Sequence, residues 1–68
     1  MNDNYSKFLD GWVEYRIHVK ELRAGQSIMK YLRANHFNIY DEMRGRDNDC
    51  YHNDDLILGA LRFIRNKI

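Results

Sequence analysis

The sequence predicts an all-α fold, a compact bundle of three to four short helices. Three observations carry that prediction. Apolar residues recur at three- and four-residue spacing along most of the chain. There is no proline, so nothing bars continuous helix. One segment alternates like a strand, but no second strand is available to pair with it. With 68 residues, the chain is expected to be a single helical domain, residues 1–68.

The first helix is expected over residues 4–22. Asp3 or Asn4 can cap it by accepting a backbone N–H bond. Tyr5, Phe8, Leu9, Trp12 and Val13 share one face. Gly11 should weaken this helix by roughly 1 kcal/mol relative to alanine. A rival reading exists: Val13, Tyr15, Ile17 and Val19 alternate with Glu14, Arg16, His18 and Lys20. That is strand periodicity, rich in β-branched and aromatic residues.

A break is expected near Ala24-Gly25, followed by a second helix over residues 26–35 with Ile28, Met29 and Leu32 inward. A short third helix spans residues 39–44, with Asn38 as its cap and Ile39, Tyr40 and Met43 inward. Gly45 suits a left-handed stop. Residues 46–53 form a polar loop whose Asp and Asn residues favour turns. The last helix starts at Asn53 or Asp54 and runs to the end. Its apolar face is Leu56, Ile57, Ala60, Leu61, Ile64 and Ile68. Asp54 and Asp55 at its start, and Arg62, Arg65 and Lys67 toward its end, complement the helix dipole.

A chain this short has a marginal core unless packing, a metal or a partner helps. Cys50 is the only cysteine, so no disulfide can form within the chain. A lone cysteine suits a reducing compartment. The start, Met1-Asn2-Asp3-Asn4, is polar, and the longest apolar run is Leu56-Ile57-Leu58. Neither a secretion signal nor a membrane span is expected, which places the protein in the cytoplasm.

The net charge of +1 is unevenly spread. Residues 1–39 carry six basic and four acidic groups, residues 40–55 two basic and six acidic, residues 56–68 three basic and none acidic. The acidic middle is either internal complementarity or an acidic contact face.

Catalytic and metal signatures are weak. The loop starting at Asp47 begins like a calcium loop, then fails: Tyr51, His52 and Leu58 stand where an oxygen ligand, glycine and glutamate are needed. Cys50 and His52 have no further spaced Cys or His pair for zinc. Cys50 as a nucleophile, with His18, His36 or His52 as base, is less expected than a small apolar filler. No enzyme, cofactor or metal site is expected. Arg23, Gly25 and Gln26 form a compact group between two helices. They present either an anion-binding helix start or a tight turn with Arg23 held by a nearby carboxylate.

Nucleic acid is the less expected partner. Lys20, Arg23, Lys30 and Arg33, or Arg62, Arg65 and Lys67, form basic faces, and Tyr31 and Phe37 are available for stacking. The acidic loop opposes phosphate binding. Nine aromatics are too many for a core this small. Tyr15, Tyr31, Tyr40 and Tyr51 are therefore candidates for contact with another protein.

The order of motifs is distinctive. Trp12-Val13 precedes Arg23-Ala24-Gly25-Gln26-Ser27-Ile28-Met29, then Tyr31-Leu32. Ile39-Tyr40-Asp41-Glu42-Met43 and Gly45 come next, then Asn48-Asp49-Cys50-Tyr51 and Asn53-Asp54. This pattern, covering most of residues 12–64, resembles a family of short uncharacterised proteins encoded by tailed bacteriophages. The last helix here is more basic than that pattern. The resemblance implies no activity. It implies a setting in which small proteins bind and block a host protein, such as a polymerase, a nuclease or a defence complex.

The expectation is thus an interaction module, with a homodimer possible, that docks on a host protein or complex. Its expected contact residues are Tyr40, Asp41, Arg46, Asp47, Asp49, Tyr51 and Asp54, with Arg23 and Gln26. Asp49 is expected to be a surface charge that can be reversed without unfolding.

Overall fold

A computed structural model describes residues 3–68. Met1 and Asn2, and with them the start of the segment read for a secretion signal, lie outside the described residues. Four helices are present and no strands among the described residues: α1 (Asp3–His18), α2 (Ala24–Asn35), α3 (Phe37–Met43) and α4 (Ile57–Lys67). A single 3-10 turn, Asp54–Leu56, leads into α4. The all-α bundle is the expected class, and none of the described helices is long and apolar enough to cross a membrane.

The rival strand reading of residues 13–19 is settled for helix through His18. The alternation of Val13 and Ile17 with polar residues has a different meaning: both stay on the outside, 54% and 59% exposed. Val13 therefore does not join Phe8 and Trp12 in the core as expected. Asp3 and Asn4, expected as caps, lie within the helix.

α1 ends four residues earlier than the periodicity suggested. Leu22 N–H donates to the Val19 carbonyl at 3.3 Å and closes a turn. The cause is at the next helix. α2 starts at Ala24, not Gln26, because Gly25 is a packed position of α2 rather than a break. The chain has to reverse before Ala24, and residues 19–23 make that reversal. Arg23 is extended, and its N–H donates to the Gln26 side-chain oxygen at 3.1 Å. This is half of a capping box.

α2 is the centre of the bundle; α1, α3 and the 3-10 turn all pack against it. Ile28, Met29 and Leu32, its expected stripe, are buried. Trp12 and Ser27 join α1 to α2. The Trp12 indole N–H donates to Ser27 Oγ at 2.8 Å, and that hydroxyl donates to the Ala24 carbonyl at 2.6 Å. Ser27, the one fully buried polar residue among the described residues, is thereby satisfied. Phe8 and Tyr31 meet edge-on at 5.6 Å, and Tyr31 lies against Tyr15 and His36. Such ring pairs add about 0.5–1.5 kcal/mol each beyond area burial. Gly11 proves to be a packing position: a methyl group there would run into the Tyr31 hydroxyl.

Only His36 separates α2 from α3, so α3 begins at Phe37 and Asn38 is inside it rather than its cap. Met43 is fully buried. Gly45 takes the left-handed conformation expected of it, φ 72°. The last α-helix starts at Ile57 rather than at Asn53 or Asp54, because Asp54 and Asp55 form the 3-10 turn; Asn53 caps that turn, its side chain accepting from Asp55 N–H at 2.9 Å. Ala60 and Ile64 are buried, with Leu56, Ile57, Leu61 and Ile68 packed partly against the core. The basic end of α4 meets α3 through Lys67 and Glu42 at 3.1 Å. The Cα radius of gyration, 10.9 Å, is that of a fully collapsed chain of this length.

Two glycines in helices should respond oppositely to alanine. At Gly25 a methyl group would strike the Cys50 carbonyl oxygen and Asp54 Oδ1, and backbone cannot yield cheaply. Nothing lies near the corresponding position at Gly59. Gly25→Ala is expected to cost about 3 kcal/mol or more. Gly59→Ala should add roughly 0.5–1 kcal/mol. Urea unfolding of both variants checks this pair.

Candidate functional site

The loop between α3 and the 3-10 turn has no regular structure, yet it is tied down along its length. Asp49 starts the fixing. One carboxylate oxygen accepts from Gly45 N–H at 2.7 Å and the other from Tyr51 N–H at 2.9 Å. The second bond is an Asx turn.

The loop is then clasped to the start of α2. Asp54 Oδ1 accepts from Gly25 N–H at 3.1 Å. Arg23 donates through Nη2 to the Tyr51 carbonyl at 2.7 Å, and its Nε lies 3.9 Å from Asp54 Oδ1. The Cys50 thiol faces the Gly25 carbonyl at 3.5 Å. Glycine is needed because the Cys50 carbonyl occupies the space of a side chain. The carboxylate at the start of α2 is favoured by the helix dipole. Of the two readings of Arg23, Gly25 and Gln26, the structure gives the tight turn with Arg23 held by a carboxylate. The anion at this helix start is the chain's own Asp54.

Cys50 is fully buried. Burial is the main cause that pushes its thiol up from 9.0 to about 11; a backbone hydrogen bond opposes the rise, and Asp49 and Asp54 add to it. A protonated, enclosed thiol is a core group, not an activated nucleophile. Among the described residues, no three His, Cys, Asp or Glu side chains converge to hold a metal ion.

With the loop clasped, its outer side forms a groove with α2 and α3. The groove has a volume of about 340 Å³ and is lined by Met29, Lys30, Arg33, Tyr40, Asp49, Tyr51 and His52. Buried Met29 is its floor. Lys30 and Arg33 stand one turn apart on α2, both exposed. Tyr40 comes from α3. Tyr51 and His52 come from the loop, their rings edge-to-face at 4.8 Å.

The expected contact residues thus divide. Tyr40, Asp49 and Tyr51 line the groove. Arg23, Gln26 and Asp54 belong to the clasp and to the cap of α2. Asp41 pairs with Arg44 at 3.4 Å on the outside of α3. Arg46 and Asp47 are exposed in the loop, away from the groove lining. Asp49 is not a removable surface charge, because it holds two backbone N–H groups. Lys30 and Arg33, expected in a basic stripe with Lys20 and Arg23 and with Tyr31 and Phe37 for stacking, share the groove instead with Tyr40 and Tyr51. Met29, expected in the core, also lines the groove, as does His52, weighed as a base or ligand.

No protein-family model, curated protein or solved structure matches the chain.

The Cys50 shift has a consequence for stability. An acid whose folded pKa lies above its unfolded value keeps its proton longer in the folded state. The thiol's contribution is intact below pH 9 and is lost as pH rises toward 11. Over that window the protein should lose up to ~2 kcal/mol more stability than a Cys50→Ala variant loses. Urea titrations of both at pH 8 to 11, taken as ~1-unit steps, measure the difference.

Proposed function

We propose that this chain is a non-catalytic binding module that docks on and modulates a host protein, in the setting that the phage resemblance implies. One observation carries the reading: the groove is preorganised. Its loop wall is fixed by five side-chain contacts, those of Asp49 with Gly45 and Tyr51, of Asp54 with Gly25, of Arg23 with Tyr51 and of Cys50 with Gly25. A wall already ordered costs little entropy when a partner arrives. Tyr40 and Tyr51 supply rigid aromatic contact area with polar tips, and Arg33 a planar donor. These are the residue types that dominate protein–protein hot spots. The enclosed, protonated state of Cys50 argues against thiol catalysis.

A second reading has a specific observation behind it. Lys30 and Arg33 beside Tyr40, Tyr51 and His52 also resemble a small platform for a single nucleic-acid strand. Against it stand the acidic residues of the adjoining loop and the near-neutral charge of the whole chain.

Affinity capture from nuclease-treated host lysate compares the two. A stoichiometric protein partner should be recovered by the unaltered chain and lost with Tyr40→Ala and with His52→Ala. His52 is exposed, so its loss should leave thermal unfolding unchanged. Capture indifferent to both substitutions would remove the groove from the proposal. Retardation of a short oligonucleotide at low salt, with no protein partner, would favour the second reading.

A further inference from the structure

The charge of the groove is opposite to that of the segment that contributes half of its wall. Residues 40–55 hold six acids, but four are already engaged. Asp41 pairs with Arg44, Glu42 with Lys67, Asp49 with two backbone N–H groups, and Asp54 with Gly25 and Arg23. Asp47 and Asp55 remain, and neither lines the groove. The cations there are in the reverse position. Lys30 and Arg33 make no ion pair or hydrogen bond through their side chains with the described residues. Asp49, the one acid in the lining, is turned toward the backbone: each carboxylate oxygen accepts one N–H, and it makes no ion pair with either cation.

We propose that the groove receives an acidic segment of a partner protein, with one Asp or Glu carboxylate set between Lys30 and Arg33. This rests on the docking reading above and gives its partner a charge. Arg33 can offer two parallel N–H donors to a carboxylate, and Lys30 a point charge beside it. Met29 and the faces of Tyr40 and Tyr51 accept the apolar stem of the acid and its neighbour. A volume of about 340 Å³ holds one or two side chains. A phosphate polymer is a poorer fit: it needs a continued basic track, and no Lys or Arg besides Lys30 and Arg33 lines the groove.

The test uses the full chain, labelled with nitrogen-15, and a blocked peptide of alternating glutamate and tyrosine at millimolar concentration. The control is the same peptide with glutamine for glutamate, and the rival probe is oligothymidylate. The glutamate peptide should shift the amide signals of Lys30, Arg33, Tyr51 and His52 and bind at least about tenfold more tightly than the glutamine peptide. Arg33→Glu should abolish the binding, Arg33→Gln should leave an intermediate affinity, and both should keep the native spectrum elsewhere. No shifts at the groove, equal binding of the two peptides, or tighter binding of oligothymidylate would overturn the proposal. The two levels separate in the capture experiment. A partner lost with Tyr40→Ala and His52→Ala but retained by a Lys30→Glu, Arg33→Glu double variant would keep the docking face and refute the acidic partner. Capture unaffected by any of these variants would refute both.

Discussion

The arrangement depends on one clasp, the Asp54 carboxylate seated at the first turn of α2. Helix starts leave backbone N–H groups without partners inside the helix. Here the Gly25 N–H is met by an acid 29 residues further along the chain. Arg23 secures the same acid from the side and reaches the Tyr51 carbonyl. The ion pair itself is half exposed and contributes little alone. Its value lies in geometry. It brings the Cys50 carbonyl against Gly25, buries the thiol, and orders a loop that has no secondary structure of its own.

That constraint explains how so small a chain holds a defined surface without a disulfide. The core is narrow: Phe8, Trp12, Ile28, Met29, Leu32, Met43, Cys50, Ala60 and Ile64. Several come from the central helix, so whatever fixes the start of α2 also fixes the core. The ring cluster of Phe8, Tyr15, Tyr31 and His36 closes one side of it. The clasp closes the other and, in doing so, turns Tyr51 and His52 toward Lys30 and Arg33. Stability and the candidate binding surface thus share one set of bonds.

Much of the fold was legible in the sequence, and the reasons differ by element. The stripe Ile28, Met29, Leu32 and the face of α4 follow from helical spacing alone. Gly45 and Asn53 follow from local backbone chemistry. The errors arose where tertiary contact overrides local preference. Gly25 looked like a breaker because the Cys50 carbonyl that requires it is distant in sequence, and the Tyr31 side chain that packs over Gly11 is distant too. The engagement of Glu42 and Asp54 was not legible either, because their partners Lys67, Gly25 and Arg23 come from other elements. Tyr40 and Tyr51 were legible as surface aromatics. Their meeting with Lys30 and Arg33 was not, since no spacing rule joins residues on α2 to a loop beyond α3.

Native-state hydrogen exchange of the Gly25 amide tests this account most directly. A first-turn amide with no partner exchanges like an exposed one. The clasp predicts instead that Gly25 is protected to about the level of the buried Leu32 amide, and that Asp54→Ala removes the protection at Gly25 and Tyr51 while Leu32 keeps much of its own. Exchange of Gly25 at the rate of an open loop in the unaltered protein would contradict the clasp, and with it the ordered groove.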